Sequence, residues 1–194
     1  MSIIVHHVIS TSDGKFYAIG EQYKKGASAS GIAMNMLSAA SGGGQAASNV
    51  KMVLRDMMVF TFDKDLNVEN IEIIEKRKAN ITLPHGYGMI QKDKLAYMMK
   101  TMGWFDYAFT SVSSSRKTFN SVYLNYDRKN EGKNKTTIGN ITLNDEGKIE
   151  DVKVNLTTDP TWFGAMPSKP GYIAVFEYFK KKKTATLQLK KLDI

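Results

Sequence analysis

Apolar and polar residues alternate along most of this chain, and the alternation is interrupted at turn signals. Residues 3–10 (IIVHHVIS) are β-rich, and residues 11–15 (TSDGK) hold an Asp-Gly pair that supplies the positive φ of a tight hairpin. Residues 16–25 (FYAIGEQYKK) return, so 3–25 reads as a hairpin. A longer hairpin follows at 53–77. Phe60-Thr61-Phe62-Asp63 runs up, Lys64 to Asn67 turn, and Val68 to Ile73 come back. Its first arm is apolar throughout at 57–60, which predicts burial on both faces. Its second arm alternates until Asn70, where a slip predicts a β-bulge. Eighty-one residues later the same pattern recurs without a gap. Ile141 to Asn144 run up, Asp145 to Lys148 turn, and Ile149 to Val154 return. Between the two copies, 104–112 and 119–128 read as strands around the turn 113–117. After them, 172–180 and 184–192 read as strands around a lysine bend at 181–183.

Two stretches depart from this pattern. Residues 26–49 are almost wholly Gly, Ala and Ser. Such a composition does little to offset the entropy of ordering it, so a flexible excursion with a short helix near 33–40 is expected. The triple glycine at 42–44 lacks the Lys-Ser/Thr of a P-loop and the spacing of a dinucleotide site. Residues 82–88 form a loop. In 91–102, Leu95, Met98, Met99 and Met102 recur at helical spacing, and Gly103 stands where a C-terminal cap belongs. This Met stripe predicts a helix packed on a sheet.

Three stretches then align: GEQYKK at 20–25, LNYDRK at 124–129 and FEYFKK at 176–181. Each ends a strand in an aromatic and a basic pair or near-pair. The units become a first meander at 3–77 (with the 26–49 insertion), a loop and helix at 80–103, a second meander at 104–157 and an incomplete third at 162–194. All lie in one repeat array over 1–194. Four-stranded meanders of this length are the unit of propeller blades. The chain resembles propeller-like repeat blades of uncharacterised bacterial proteins, in which an Asp-Gly hairpin (here Asp13-Gly14) precedes a long FxFDxxLN hairpin (here FTFDKDLN). The resemblance implies an all-β fold of antiparallel four-stranded meanders, an incomplete β-propeller of about 2.75 blades, with one short helix inserted near 91–102. It implies no catalytic residue. No WD dipeptide or kelch double glycine is present. A ring needs more blades than this, so a homo-oligomer, missing upstream blades or an open sheet are the alternatives. In an open array the lysines at 181–183 and 190–191 protect the exposed edge.

Composition narrows the chemistry. There is no cysteine, which excludes disulfides, thiolate metal sites and cysteine nucleophiles. No apolar run approaches the roughly 18 residues of a transmembrane helix. The start, MSIIVHHVIS, lacks the basic and apolar regions of a signal peptide. A secreted or periplasmic location is expected if this is a mature form or fragment, and a cytoplasmic one otherwise. Net charge is +8 and the pI about 9.4, which favours an anionic polymer or another protein as partner. His6 and His7 are neighbours on a strand and point to opposite faces, so no metal and no cofactor are expected. The pairs Glu69/Glu72 and Glu150/Asp151 fall at equivalent hairpin positions, where solvated charge is the ordinary explanation. The candidate ligand-binding residues are the basic pairs Lys24/Lys25, Arg128/Lys129 and Lys180/Lys181, the aromatics Tyr23, Tyr126 and Phe179 beside them, and His85 in its glycine-flanked loop. Gathered on one rim, cations and aromatics suit an acidic polymer or single-stranded nucleic acid. The sequence therefore favours a non-enzymatic binding or scaffold module. A hydrolase or lyase acting on an anionic polymer, and nucleic-acid binding by the basic rim, are the alternatives.

Overall fold

The computed structural model describes residues 1–41, 50–84, 86–128, 134–155, 162–169 and 171–192. Its strands form three antiparallel sheets, each an up-and-down meander. The first sheet has the order β1 (Ser2–Ser10), β2 (Phe16–Ala27), β3 (Val50–Phe62), β4 (Val68–Ile74). A fifth strand, β5 (Ala79–Thr82), pairs with the lower half of β3. The second sheet is β6 (Tyr107–Val112), β7 (Phe119–Arg128), β8 (Asn134–Leu143) and β9 (Ile149–Asn155). The third is β10 (Trp162–Pro167), β11 (Tyr172–Phe179) and β12 (Thr184–Lys191). The all-β expectation holds, and the described strands close neither a barrel nor a propeller.

Turn chemistry sets the registers. Gly14 and Gly147 supply positive φ in two hairpin turns, and Asp63 Oδ1 accepts backbone N–H bonds from Asp65 (2.9 Å) and Asn67 (2.8 Å) in a third. The expected slip near Asn70 is a bulge: Thr61 pairs with Asn70 but Phe62 with Val68, leaving Glu69 as the extra residue. A second bulge at Arg55–Asp56 lets β3 keep Val50, Met52 and Leu54 on the same face as Met57 and Val59. Opposite that bulge the returning chain leaves the sheet at residues 75–78 and rejoins as β5.

The sheets stack face on face. Tyr17 and Ile19 of β2, with Ile9, Met57, Val59 and Ile74, meet Phe119, Tyr123, Ile141 and Leu143 of the second sheet. The opposite face of the second sheet, through Val122 and Ile138, meets Ile173, Val175 and Leu192. Helix α2 (Lys92–Thr101) buries Leu95, Ala96 and Met99 against Tyr23, Val50, Met52 and Leu54, as the Met-stripe spacing predicts. Met102, expected on that stripe, is exposed.

Two expectations are corrected. The Gly/Ala/Ser stretch forms a longer helix than 33–40, namely α1 (Ala29–Ala40). Alanine is the best helix former, and the Ser28 hydroxyl caps the N-terminus by accepting from the Gly31 N–H at 3.0 Å. Residues 42–49, expected to be flexible, lie outside the described residues. The strand expected from Trp104 begins only at Tyr107, because Phe105 and Asp106 are drawn out of the sheet into buried contacts described next.

Candidate functional site

The most unusual chemistry of the molecule lies at the seam of the first and second sheets. Glu21 has the same parity on β2 as Tyr17, Ile19 and Tyr23, so the strand carries its carboxylate into the interior, where it is fully buried. The break at 75–78 aims Lys76 inward, also with a fully buried side chain. Asp56, in the β3 bulge, holds this break by accepting the Lys76 backbone N–H at 3.3 Å. The Lys76 ammonium lies 3.1 Å from Glu21 Oε1 as an ion pair and donates to Asp106 Oδ2 in a short charged contact. Glu21 Oε2 accepts the backbone N–H groups of Asp106 (3.1 Å) and Tyr107 (3.3 Å), and lies 3.3 Å from His6 Nε2. His6 is the extra residue of a bulge in β1. Its ring stacks on Tyr107 at 4.6 Å and meets Phe105 edge-on at 5.1 Å.

The electrostatics follow from burial. Two carboxylates share one ammonium in a largely desolvated site. Loss of water pushes the Asp106 carboxyl up to about 6, against the pull of Lys76 and with the nearby Glu21 charge adding to the rise. A cluster of this kind resembles a general acid–base site. Its position argues otherwise, because Glu21 and Lys76 are sealed from solvent and each is spent on a structural partner. Four segments far apart in sequence meet on it, and it ties the first sheet to the chain entering the second.

Asp106 is the member that reaches open space. It lies in the wall of a cleft of about 400 Å³ with Arg77, Lys78, Asn80, Trp104 and Leu124. The Arg77 N–H donates to Asn125 Oδ1 at 3.0 Å, which fixes the chain across the mouth of this cleft. A second cleft of about 510 Å³ opens between the second and third sheets at their tight-turn ends. It is lined by Ser111, Ser113, Thr118, Asn120, Lys169 and Tyr172 among others. Among the described residues no group of three or more His, Asp or Glu side chains is placed to hold a metal ion.

The residues singled out in the sequence have different fates. Tyr23 is buried and its hydroxyl donates to Asp93 Oδ1 at 2.9 Å; burial and that carboxylate push its pKa up to about 12. Lys25 donates to the carbonyls of Gly88 (2.8 Å) and Ile90 (2.6 Å), so it fastens the loop before α2. Lys24 is exposed on the opposite face of β2. The two lysines of this pair therefore point to opposite faces of the strand. Lys180 and Lys181 are exposed in the β11–β12 turn, with Phe179 half-buried beside them. Tyr126 and Arg128 belong to the last turnward residues of β7, while Lys129 and His85 lie outside the described residues. In register terms the three basic stretches do occupy the same end of their sheets, where Ala27 pairs with Val50, Arg128 with Asn134 and Phe179 with Thr184. The sequence does not mark His6, Glu21, Lys76 and Asp106 as a group. The available signal was Glu21, a charge on an otherwise apolar strand face. Of the carboxylates noted as pairs, Glu69 binds Lys15 at 2.7 Å in solvent and Asp151 accepts the Tyr123 hydroxyl at 2.8 Å.

Comparison with known proteins places the chain in a family. It belongs to a family of unknown function, DUF6770, whose model matches residues 2–193. No curated protein and no solved structure matches it.

Proposed function

We propose that this protein is a non-enzymatic interaction and scaffold module, made of stacked meanders in the manner of propeller blades. One observation carries the reading: the two end faces of the stack are apolar and face solvent. On the first sheet the outward face carries Ile3, Val5, Val8, Val68, Ile71 and Ile73, all exposed, around Phe60 and Phe62. On the third it carries Trp162, Met166, Tyr178, Leu187 and Leu189, all exposed, around Phe176. Contiguous apolar faces of this kind mark interaction sites, whereas scattered exposed leucines do not. The buried charges support the same reading, because they are consumed in holding sheets together. In cells making the protein, covalent footprinting should label Met166, Trp162 and Leu187 far less than in the purified, diluted protein. Equal labelling in both would remove the reading.

A second reading has its own observation. The cleft beside Asp106 combines Arg77, Lys78 and Trp104, a set suited to an anionic ligand. It succeeds the basic rim as the place for the polymer expected from the net charge. Heparin, as a polyanion probe, should quench Trp104 fluorescence, and Lys78→Ala should weaken that response. A response unchanged by Lys78→Ala would exclude the cleft.

A further inference from the structure

The stacking has a direction. The first residue of β2 pairs with the last of β1 (Phe16 with Ser10), and β7 begins in the same way (Phe119 with Val112). The equivalent pair of the third sheet is Ile173 with Pro167. Phe119, Tyr123 and their strand parity point back to the first sheet, while Val122 and the opposite parity point forward to the third. Ile173 and Val175 repeat the backward face. Each internal interface thus joins a forward face to a backward face. Two faces are left over. Among the described residues, Phe16, Phe60 and Met58 form a backward face with no sheet behind it. Ala174, Phe176 and Tyr178 form a forward face with no sheet of the described residues ahead of it.

These two faces are the two halves of the interface that the molecule already makes twice. The halves match in detail. The second sheet sets Phe119, Ile141 and Leu143 against its predecessor, and the first sheet carries Phe16, Phe60 and Phe62 at the same register positions. At the other end the Trp162 ring covers Gly164, where a Cβ would come within 3.2 Å of it, and meets Phe176 edge-on with ring centroids 5.5 Å apart.

We propose that a second copy of this chain docks head to tail, its first-sheet outer face on the third-sheet outer face of its neighbour. The inference rests on the interaction-module reading and names its partner. A contact between unlike faces is heterologous, so it closes into a ring or grows into a filament, according to the rotation at each step. Two copies supply six meanders, within the range of four to eight or so in which stacked blades close.

The test uses sedimentation velocity on the full chain over a wide concentration range. The wild type should associate as concentration rises. Ile73→Lys damages only the first face and Leu187→Lys only the third; both positions are exposed, so circular dichroism of each variant should match the wild type. Each should weaken self-association by about tenfold or more, as for a charge placed at an interface centre. Mixing the two variants gives the distinguishing result. The first keeps its third-sheet face and the second its first-sheet face, so the mixture should regain a heterodimer through one intact contact. Recovery supports the head-to-tail contact. A wild type that stays monomeric, a variant without effect, or a mixture that does not recover would each overturn it. If the wild type stays monomeric while Met166 and Leu187 are covered in cells, the partner is another molecule and the module reading stands. If neither holds, both fall.

Discussion

A buried lysine held by two carboxylates decides how far single substitutions reach. Lys76 pairs with Glu21 and Asp106 where burial leaves little solvent screening. Removing one member leaves the others charged and unpaired, which costs more than the intact cluster contributes. Lys76→Met should therefore lower unfolding free energy by about 3–5 kcal/mol, measured by urea titration. The triple change Lys76→Met, Glu21→Gln, Asp106→Asn should recover much of that loss. A triple variant as unstable as the single one would mean that packing, and not charge, is at stake. The same cluster gives a pH effect of fixed sign. The folded-state pKa of Asp106, about 6, lies above the ordinary aspartate value of 3.8. The folded protein then holds a proton that the unfolded chain releases, so this group favours folding most below about 3.8 and loses that contribution as pH rises through about 6. Asp106→Asn cannot titrate. The melting temperature of the wild type relative to Asp106→Asn should fall as pH rises across that window. A difference that rose with pH would show that Lys76 holds the carboxyl ionised throughout.

Individual strands carry both the regular and the irregular features of the design. In β8, Gly139 sits across from Tyr123, whose ring lies over the bare backbone on its way to Asp151. A Cβ at Gly139 would collide with that ring. Gly139→Ala should destabilise by about 1–3 kcal/mol, the usual cost of overpacking. Adding Tyr123→Leu should reverse part of it by removing the obstacle. A neutral single variant would show that the ring can swing away. Such close approaches are invisible in a sequence, where Gly139 is one more glycine in a β-rich run. The hairpins were legible because period-two alternation and the Asp13-Gly14, Asp63–Asn67 and Asn144–Gly147 turns are local signals. Helix α2 was legible from Leu95 and Met99. The charged seam was not, because it needs bulges at His6 and at Arg55–Asp56 and a meeting of Glu21 with Asp106 across 85 positions. The role of Lys25 in fastening the loop before α2 was hidden for a related reason: its partners are backbone carbonyls of Gly88 and Ile90, which no residue type announces.

At the scale of the whole molecule, the stack is unevenly held together. The seam of the first and second sheets buries aromatic and large aliphatic side chains, with Tyr17 and Phe119 at 5.3 Å, and the ion cluster lies along it. The seam of the second and third sheets rests on fewer buried residues, Val122, Ile138, Ile173, Val175 and Leu192, with its aromatics Phe109 and Phe163 only partly buried. The third sheet also ends in β12, an edge strand, and its outer face is in solvent. Apolar burial is the main source of sheet cohesion, so the sheet with less of it should open first. Native-state hydrogen exchange should show amides of β11 exchanging through an opening smaller in free energy than the one that exposes β2, β3 and β7. Docking of a second copy would cover that same sheet and add burial only to the closed form. Protection of β11 should then rise with protein concentration, while protection of β7, already enclosed between two sheets, should not. In Leu187→Lys the concentration dependence should vanish, with the low-concentration protection of β11 preserved. Uniform exchange across all three sheets would show instead that the stack unfolds as one unit, with the weaker seam no easier to open than the stronger.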